Sequence, residues 1–339
     1  MPAVSFIPYF PDENIDTTVG DFHIRNWWRN RERLAPDADV RGFLDRYFGL
    51  FRRPHGDRET RIAIVHRRDQ DPFAEQQDFS TMSRFTNALL AAYLFNLPTG
   101  EQRYPFCSSD NFTGLYQPFK PNADHLDIAF TFGSYFHLTV AGSWQYLGYV
   151  TPDFVPNMNC QPAQTILAQL AALCANAEER VVRLFRSLEW LRLTFMNYEG
   201  FPHEARPLAM CTAFETLLDF PDREKARYFS DQVNSLLPAN RLPRLRRPGI
   251  NYDDTQVGWW CRDFYNLRSK TVHGERVQAA DLVTDRGVEH LRIALSIFEE
   301  CTYGLLAEWG FLAREDREAV FVWRSHWRDQ LGIAVDAFL

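Results

Sequence analysis

The sequence lacks a basic start followed by a long apolar stretch. It opens MPAVSFIPYFPDEN, and no window approaches about 18 uninterrupted apolar residues. A cytoplasmic protein with no membrane attachment is therefore expected. Clustered metal ligands are also missing. Cys107, Cys160, Cys174, Cys211, Cys261 and Cys301 are far apart, form no C-x-x-C pair and have no histidine cluster beside them; most sit among apolar neighbours and read as small core residues, and no metal or other cofactor is expected. There is no glycine-rich phosphate loop, no Walker motif, no G-x-S-x-G and no H-E-x-x-H, which removes the main nucleotide-hydrolase, esterase and zinc-protease classes. Long runs of one charge are absent too: the net charge of −7 is spread along the chain, so any contact with RNA has to be local. No internal repeat or low-complexity segment interrupts it.

What is present is material for burial. Hydrophobic residues make up 45% of 339 residues, with 28 Phe and 9 Trp, enough for two cores at the usual domain size. Residues 1–150 read as an α+β domain, a candidate sensor or substrate-recognition unit. Thr60 to His66 (TRIAIVH) has strand composition, and Phe79 to Asn96 carries an apolar pattern of helix length. Ile128 to Phe132 and Tyr135 to Val140 flank Gly133-Ser134, the pattern of a β-hairpin, and Trp144 to Val150 suits a further strand. The prolines of TPDFVPNMNCQP, at 152, 156 and 162, cannot continue a helix or a central strand. They place a linker at residues 151–163.

From residue 164 the period becomes helical. Residues 164–198 carry Ile166, Leu170, Leu173, Val181, Leu184, Leu188, Leu191 and Phe195 at helical spacing, as one helix or two. A second helix is expected from Pro207 to about Leu218, a third from Val257 to Val272 with Gly274 as its stop, and a fourth from about Gly287 to Trp309. The fold class expected is thus α+β, with an all-α bundle over residues 164–310. Residues 311–339 form a C-terminal extension whose AVFVWRSHW (Ala319 to Trp327) is aromatic enough to require a partner surface.

Placed on wheels of about 100° per residue, two of these helices carry charge inside apolar arcs. Arg268 lies near the centre of the face formed by Val257, Trp260, Cys261, Phe264, Leu267, Thr271 and Val272. An unpaired guanidinium there costs several kcal/mol, and arginine cannot shed its proton, so it needs a carboxylate or a phosphate. Glu215 lies in the apolar arc of Leu208, Met210, Cys211, Phe214, Leu217 and Leu218, and the two are expected to pair between packed helices. Such a pair can also serve only to fix helix register. His273 follows Arg268 by five residues, at the helix end, where the macrodipole favours a cation and where histidine often acts as a cap.

YNLRSKTVHG, Tyr265 to Gly274, resembles the signature of the HEPN superfamily, an Arg followed after four to six residues by His, in the form of its Apea-like branch. AFETLLD, Ala213 to Asp219, is similar to that branch's second-helix motif with its acidic residue. The likeness covers about residues 164–310. It implies an HEPN-type bundle, a homodimer whose two R-x4-H helices meet, and an RNA-cleaving site that needs no metal. It also implies a defence or toxin setting with an antitoxin or defence-system partner protein, and tRNA among the substrates. Arg268, His273 and Glu215 are then the catalytic candidates, and Tyr265, Asn266, Ser269 and Lys270 the substrate-binding ones.

The chemistry suits these residues. Cleavage of RNA by its own 2′-hydroxyl needs proton transfer, for which His273 is fitted, and positive charge against the phosphorane, for which Arg268 held by Glu215 is fitted. On a regular helix Arg268 and His273 project about 140° apart. Either the helix ends before His273 or a partner subunit completes the site. The alternative to an endoribonuclease is a dimerising HEPN-like module that binds RNA, nucleotide or protein without cutting; a third reading is a purely structural dimer. Arg241, Arg244, Arg246 and Arg247 read as a solvated loop suited to an RNA backbone, Trp259 and Trp260 as packing residues, and His203, His290 and His326 as ordinary.

Overall fold

The computed structural model describes residues 2–53, 55–73, 78–95, 107–108, 114–120, 130–131, 146–147, 159, 161–197, 202–237, 244–284 and 287–318. The chain divides into two compact units: Met1–Tyr93 with Cys107–Asn176, and Leu94–Phe106 with Ala177–Leu339. The mixed α+β class expected from the sequence is present.

The first unit contains β1 (Ala3–Ile7), β2 (Asp16–Val19), β3 (Phe22–Asn26), α1 (Trp27–Leu34), α2 (Ala38–Phe48), β4 (Phe51–Arg52), β5 (Ala63–Arg67), most of α3 (Phe79–Phe95), β6 (Leu115–Pro118), β7 (Phe130–Thr131), β8 (Tyr146–Leu147) and α4 (Gln161–Leu173). Its antiparallel sheet runs β2-β3-β5-β1-β6-β7. The sequence explains the order. AVSFI of β1 is buried at every position, as an interior strand covered on both faces must be, whereas DTTV of β2 alternates exposed and half-buried residues and takes the edge. Phe6 gathers Tyr47, Phe48 and Phe51 edge-on, at centroid separations of 5.8, 5.0 and 5.5 Å. Each such ring contributes roughly 1.5–3 kcal/mol by burial.

The strand expected at Thr60 to His66 forms as β5, and the helix expected from Phe79 forms as α3. Phe130 and Thr131, in the first arm of the expected hairpin, form β7, while its turn and second arm lie outside the described residues. Within Trp144 to Val150, β8 pairs in parallel with β4. Helices α1 and α2 were not anticipated. They start at Asn26, whose side chain accepts the Arg29 N–H, and at Asp37, which accepts those of Asp39 and Val40.

The second unit contains α5 (Glu179–Phe195), α6 (Arg206–Leu217), α7 (Lys225–Leu236), β9 (Arg244–Arg246), β10 (Asp253–Thr255), α8 (Gln256–Val272) and α9 (His290–Glu308). Helix α5 packs on α6, α8 packs on α6 and α7, and α9 crosses α6 and α7. The apolar run of residues 164–198 is two helices. The first closes in a turn, with the Asn176 N–H on the Leu173 carbonyl at 2.9 Å, and α4 is compact with the first unit. Between α7 and α8, where the sequence suggested an arginine-bearing loop, β9 and β10 make an antiparallel pair with Arg244 opposite Thr255; Arg241 and Ala319 to Trp327 lie outside the described residues.

Helix α8 has defined ends. The Thr255 Oγ1 accepts the Gly258 N–H at 2.8 Å. At the other end Gly274, at φ +73°, donates to the Thr271 carbonyl (3.2 Å) and Glu275 to that of Lys270 (3.0 Å), a complete Schellman closure. Just before the helix, Asp254 joins its neighbours. Its carboxylate accepts from Ser230 Oγ (2.8 Å), Asn234 Nδ2 (3.1 Å), the Thr255 N–H (2.8 Å) and Arg262 Nε (2.9 Å). Burial alone would raise its pKa, but these donors hold it below the usual carboxylate value. A Cβ on Gly258 would stand 2.0 Å from Asp254 Oδ1, so only glycine fits there.

Candidate active site

Glu215, on α6, receives three side chains. Tyr265 donates its hydroxyl to Oε1 at 3.2 Å, Lys225 donates Nζ to Oε2 at 3.2 Å, and an Arg268 terminal nitrogen stands 3.5 Å from Oε1. The expected Glu215–Arg268 pair is therefore present, between helices in contact. It differs from expectation in depth: the side chains keep 16% and 23% of their surface accessible, because the arc they occupy sits at the rim of the helix contact. At 3.5 Å the ion pair is loose. Arg268 Nε is buried and finds no hydrogen-bond acceptor among the described residues, so the guanidinium retains unused donor capacity.

The packing behind the cluster is aromatic. Phe214 lies 4.7 Å from Phe229 and 5.3 Å from Phe298, and Trp260 stacks on Phe264 at 4.9 Å. Arg268 also lies over the Tyr265 ring, 5.5 Å from its centroid. Burial, reinforced by the charge of Glu215, pushes the Tyr265 hydroxyl up to about 12 against the opposing effect of Arg268. It therefore stays protonated and donating through the physiological range. Burial, with Glu215 adding to it, likewise keeps the Cys211 thiol well above its ordinary value, so that thiol is not a nucleophile. Cys174, Cys211, Cys261 and Cys301 are all free and buried, as expected.

His273 is the C-cap of α8, at φ −82° and ψ 4°, and is exposed. The helix ends at Val272, before His273, as the first of the two expected arrangements has it; carried one residue past that end, the helical wheel sets His273 about 140° from Arg268. The structure brings Glu215, Tyr265 and Arg268 together; exposed His273, at the helix end, is not part of that cluster. Asn266 is exposed, Ser269 half-buried, and Lys270 bonds Asp281 at 2.9 Å. Val272, expected in the core, is 48% exposed because it lies in the last turn, past the packing partners of α8. His290 is buried and accepts Trp260 Nε1 at 3.0 Å.

Lys225 was missed by sequence reasoning. It opens α7, whose N-cap Glu224 takes a left-handed conformation at φ 55° and makes no side-chain cap bond, so the usual start signal is absent. Among the described residues no group of three or more His, Cys, Asp or Glu is placed to hold a metal ion, and no helix is long and apolar enough to cross a membrane. The chain matches no protein-family model, no curated protein and no solved structure.

Proposed function

We propose that the chain is a HEPN-type endoribonuclease that cleaves RNA through its own 2′-hydroxyl, without a metal, at the junction of two copies. The observation that carries this is the orientation of Arg268 by Glu215 and Tyr265, five residues ahead of an exposed His273 on a helix closed immediately afterwards. In the reaction the 2′-oxygen attacks phosphorus, the bond to the 5′-oxygen breaks, and a 2′,3′-cyclic phosphate and a 5′-hydroxyl result. Arg268 sets positive charge against the phosphorane, and its planar donors match phosphate oxygens. His273 transfers a proton, to the leaving oxygen or from the 2′-hydroxyl. With His273 one residue past the helix end and about 140° round the wheel from Arg268, a site using both draws Arg268 from one copy and His273 from the other. A defence or toxin setting, with tRNA as a substrate, is part of the same reading.

The test is cleavage of total tRNA and of a generic single-stranded RNA in EDTA. Wild type is expected to cut, and Arg268→Ala and His273→Ala are each expected to lose about 100-fold or more with the fold intact. Cutting that survives His273→Ala would overturn the assignment. The exposure of His273 also suits a module that binds without cutting; that reading expects RNA binding by a folded wild type that leaves every substrate whole.

A further inference from the structure

Tyr252 stands out among the described aromatics of the second unit. It is 48% exposed, yet it stacks on the buried Trp259 with ring centroids 5.2 Å apart and planes 22° from parallel. Arg262 stands 5.0 Å from the Tyr252 centroid and 5.8 Å from that of Trp259. A guanidinium on the outer face of Tyr252 would be roughly twice as far from Trp259, so Arg262 lies beside both rings. Arg262 does not occupy the face of Tyr252 turned away from Trp259, and the residue is 48% exposed.

Three arginines surround the ring, Arg246, Arg247 and Arg262, matched in formal charge by Asp253, Asp254 and Asp263. Arg247 lies 4.8 Å from the Trp259 ring and forks onto Asp263, at 2.9 and 2.6 Å, which neutralises that carboxylate. Exposed Arg246 borders an open depression of about 450 Å³ lined by Arg246, Arg247, Pro248, Gly249, Ile250 and Asn251, directly before Tyr252 in the chain. The Asp254 junction ties this hairpin to α7 and α8, so the ring is held in place before any ligand arrives. On the wheel of α8, Trp259, Asp263, Asn266, Lys270 and His273 share one side, and that side is exposed from Asn266 onward except where Lys270 meets Asp281.

We propose that Tyr252, backed by Trp259 and flanked by Arg247 and Arg262, is a stacking platform for a base of single-stranded RNA, from which the strand follows the exposed side of α8 toward His273. The platform rests on the nuclease reading for its biological ligand. An open π-face beside guanidinium groups is what sequence-tolerant single-strand binding uses, and the depression next to it has room for a sugar and phosphate. A protein partner would also use an exposed Tyr, and it is the competing outcome.

The experiment is fluorescence anisotropy of the full chain with a labelled 2′-O-methyl oligouridine of about 12 nucleotides, which has no free 2′-hydroxyl and so cannot be cut. Tyr252→Ala and Tyr252→Leu are each expected to weaken binding about 5- to 150-fold, the value of one base stack, while Tyr252→Phe and Tyr252→Trp stay within about threefold of wild type. Absence of wild-type binding, equal binding by Tyr252→Ala, or equal weakening by Phe and Leu would overturn the platform. Cleavage measured in parallel separates the two ideas: a wild type that binds through Tyr252 without cutting sinks the nuclease and leaves the platform, whereas one that cuts normally with Tyr252→Ala and binds unchanged does the reverse.

Discussion

At the scale of single residues, Glu215 is a hub for three donors and Arg268 is its most weakly held guest. Removing the Tyr265 hydroxyl deletes one hydrogen bond, of about 0.5–1.5 kcal/mol, and frees Arg268 to shift. Tyr265→Phe is expected to lower cleavage several-fold, with a fall in melting temperature of a few degrees at most. Asp254 makes a different case. Its folded pKa lies below the ordinary 3.8, so the stabilisation it contributes is present above that value and fades as pH falls through the folded pKa. Asp254→Asn is expected to cost about 2 kcal/mol near neutrality, and the gap between the two melting curves should narrow below about pH 4; a gap independent of pH would contradict this. The pairing of Glu215 with Arg268 was legible from the sequence because a charge inside an apolar arc demands a partner. The parts played by Tyr265 and Lys225 were not, since a half-exposed hydroxyl and an amine on an unsignalled helix leave no periodic trace.

At the scale of elements, α6 and α8 could be read because punctuation residues mark them: Pro207 opens one and Gly274 closes the other, at φ +73°. Helix α7 was illegible for the opposite reason, a left-handed Glu224 without a capping bond. Helices α1 and α2 carry the capping residues Asn26 and Asp37 but are short, and their registers become meaningful only against the aromatic cluster around Phe6. The hairpin β9–β10 was hidden by its arginines, which look like a solvated run until the opposite strand is in view. Two glycines give tests. Gly274→Ala is expected to cost about 1 kcal/mol, because alanine resists positive φ. Gly258→Ala should cost about 1–3 kcal/mol by driving a methyl group into Asp254; thermal melts of the two variants would rank them.

At the scale of the whole molecule, the divergence of Arg268 and His273 on one helix bears on assembly. If each site draws one residue from each copy, mixing Arg268→Ala with His273→Ala after unfolding and refolding creates heterodimers with one intact site. Recovery of about a quarter of wild-type cleavage is expected from the statistics of pairing; no recovery would place both residues in one copy. The Asp254 junction has a consequence of another kind. It fastens the hairpin to the rod of α8, along which Trp259 and His273 are separated by about 21 Å. A strand that must touch both ends is measured by that rod, as by a ruler: at about 3.4 Å per stacked nucleotide the gap corresponds to roughly six. On the proposed nuclease reading the protein would then sense length without reading sequence, sparing fragments too short to reach and ignoring the identity of the bases between.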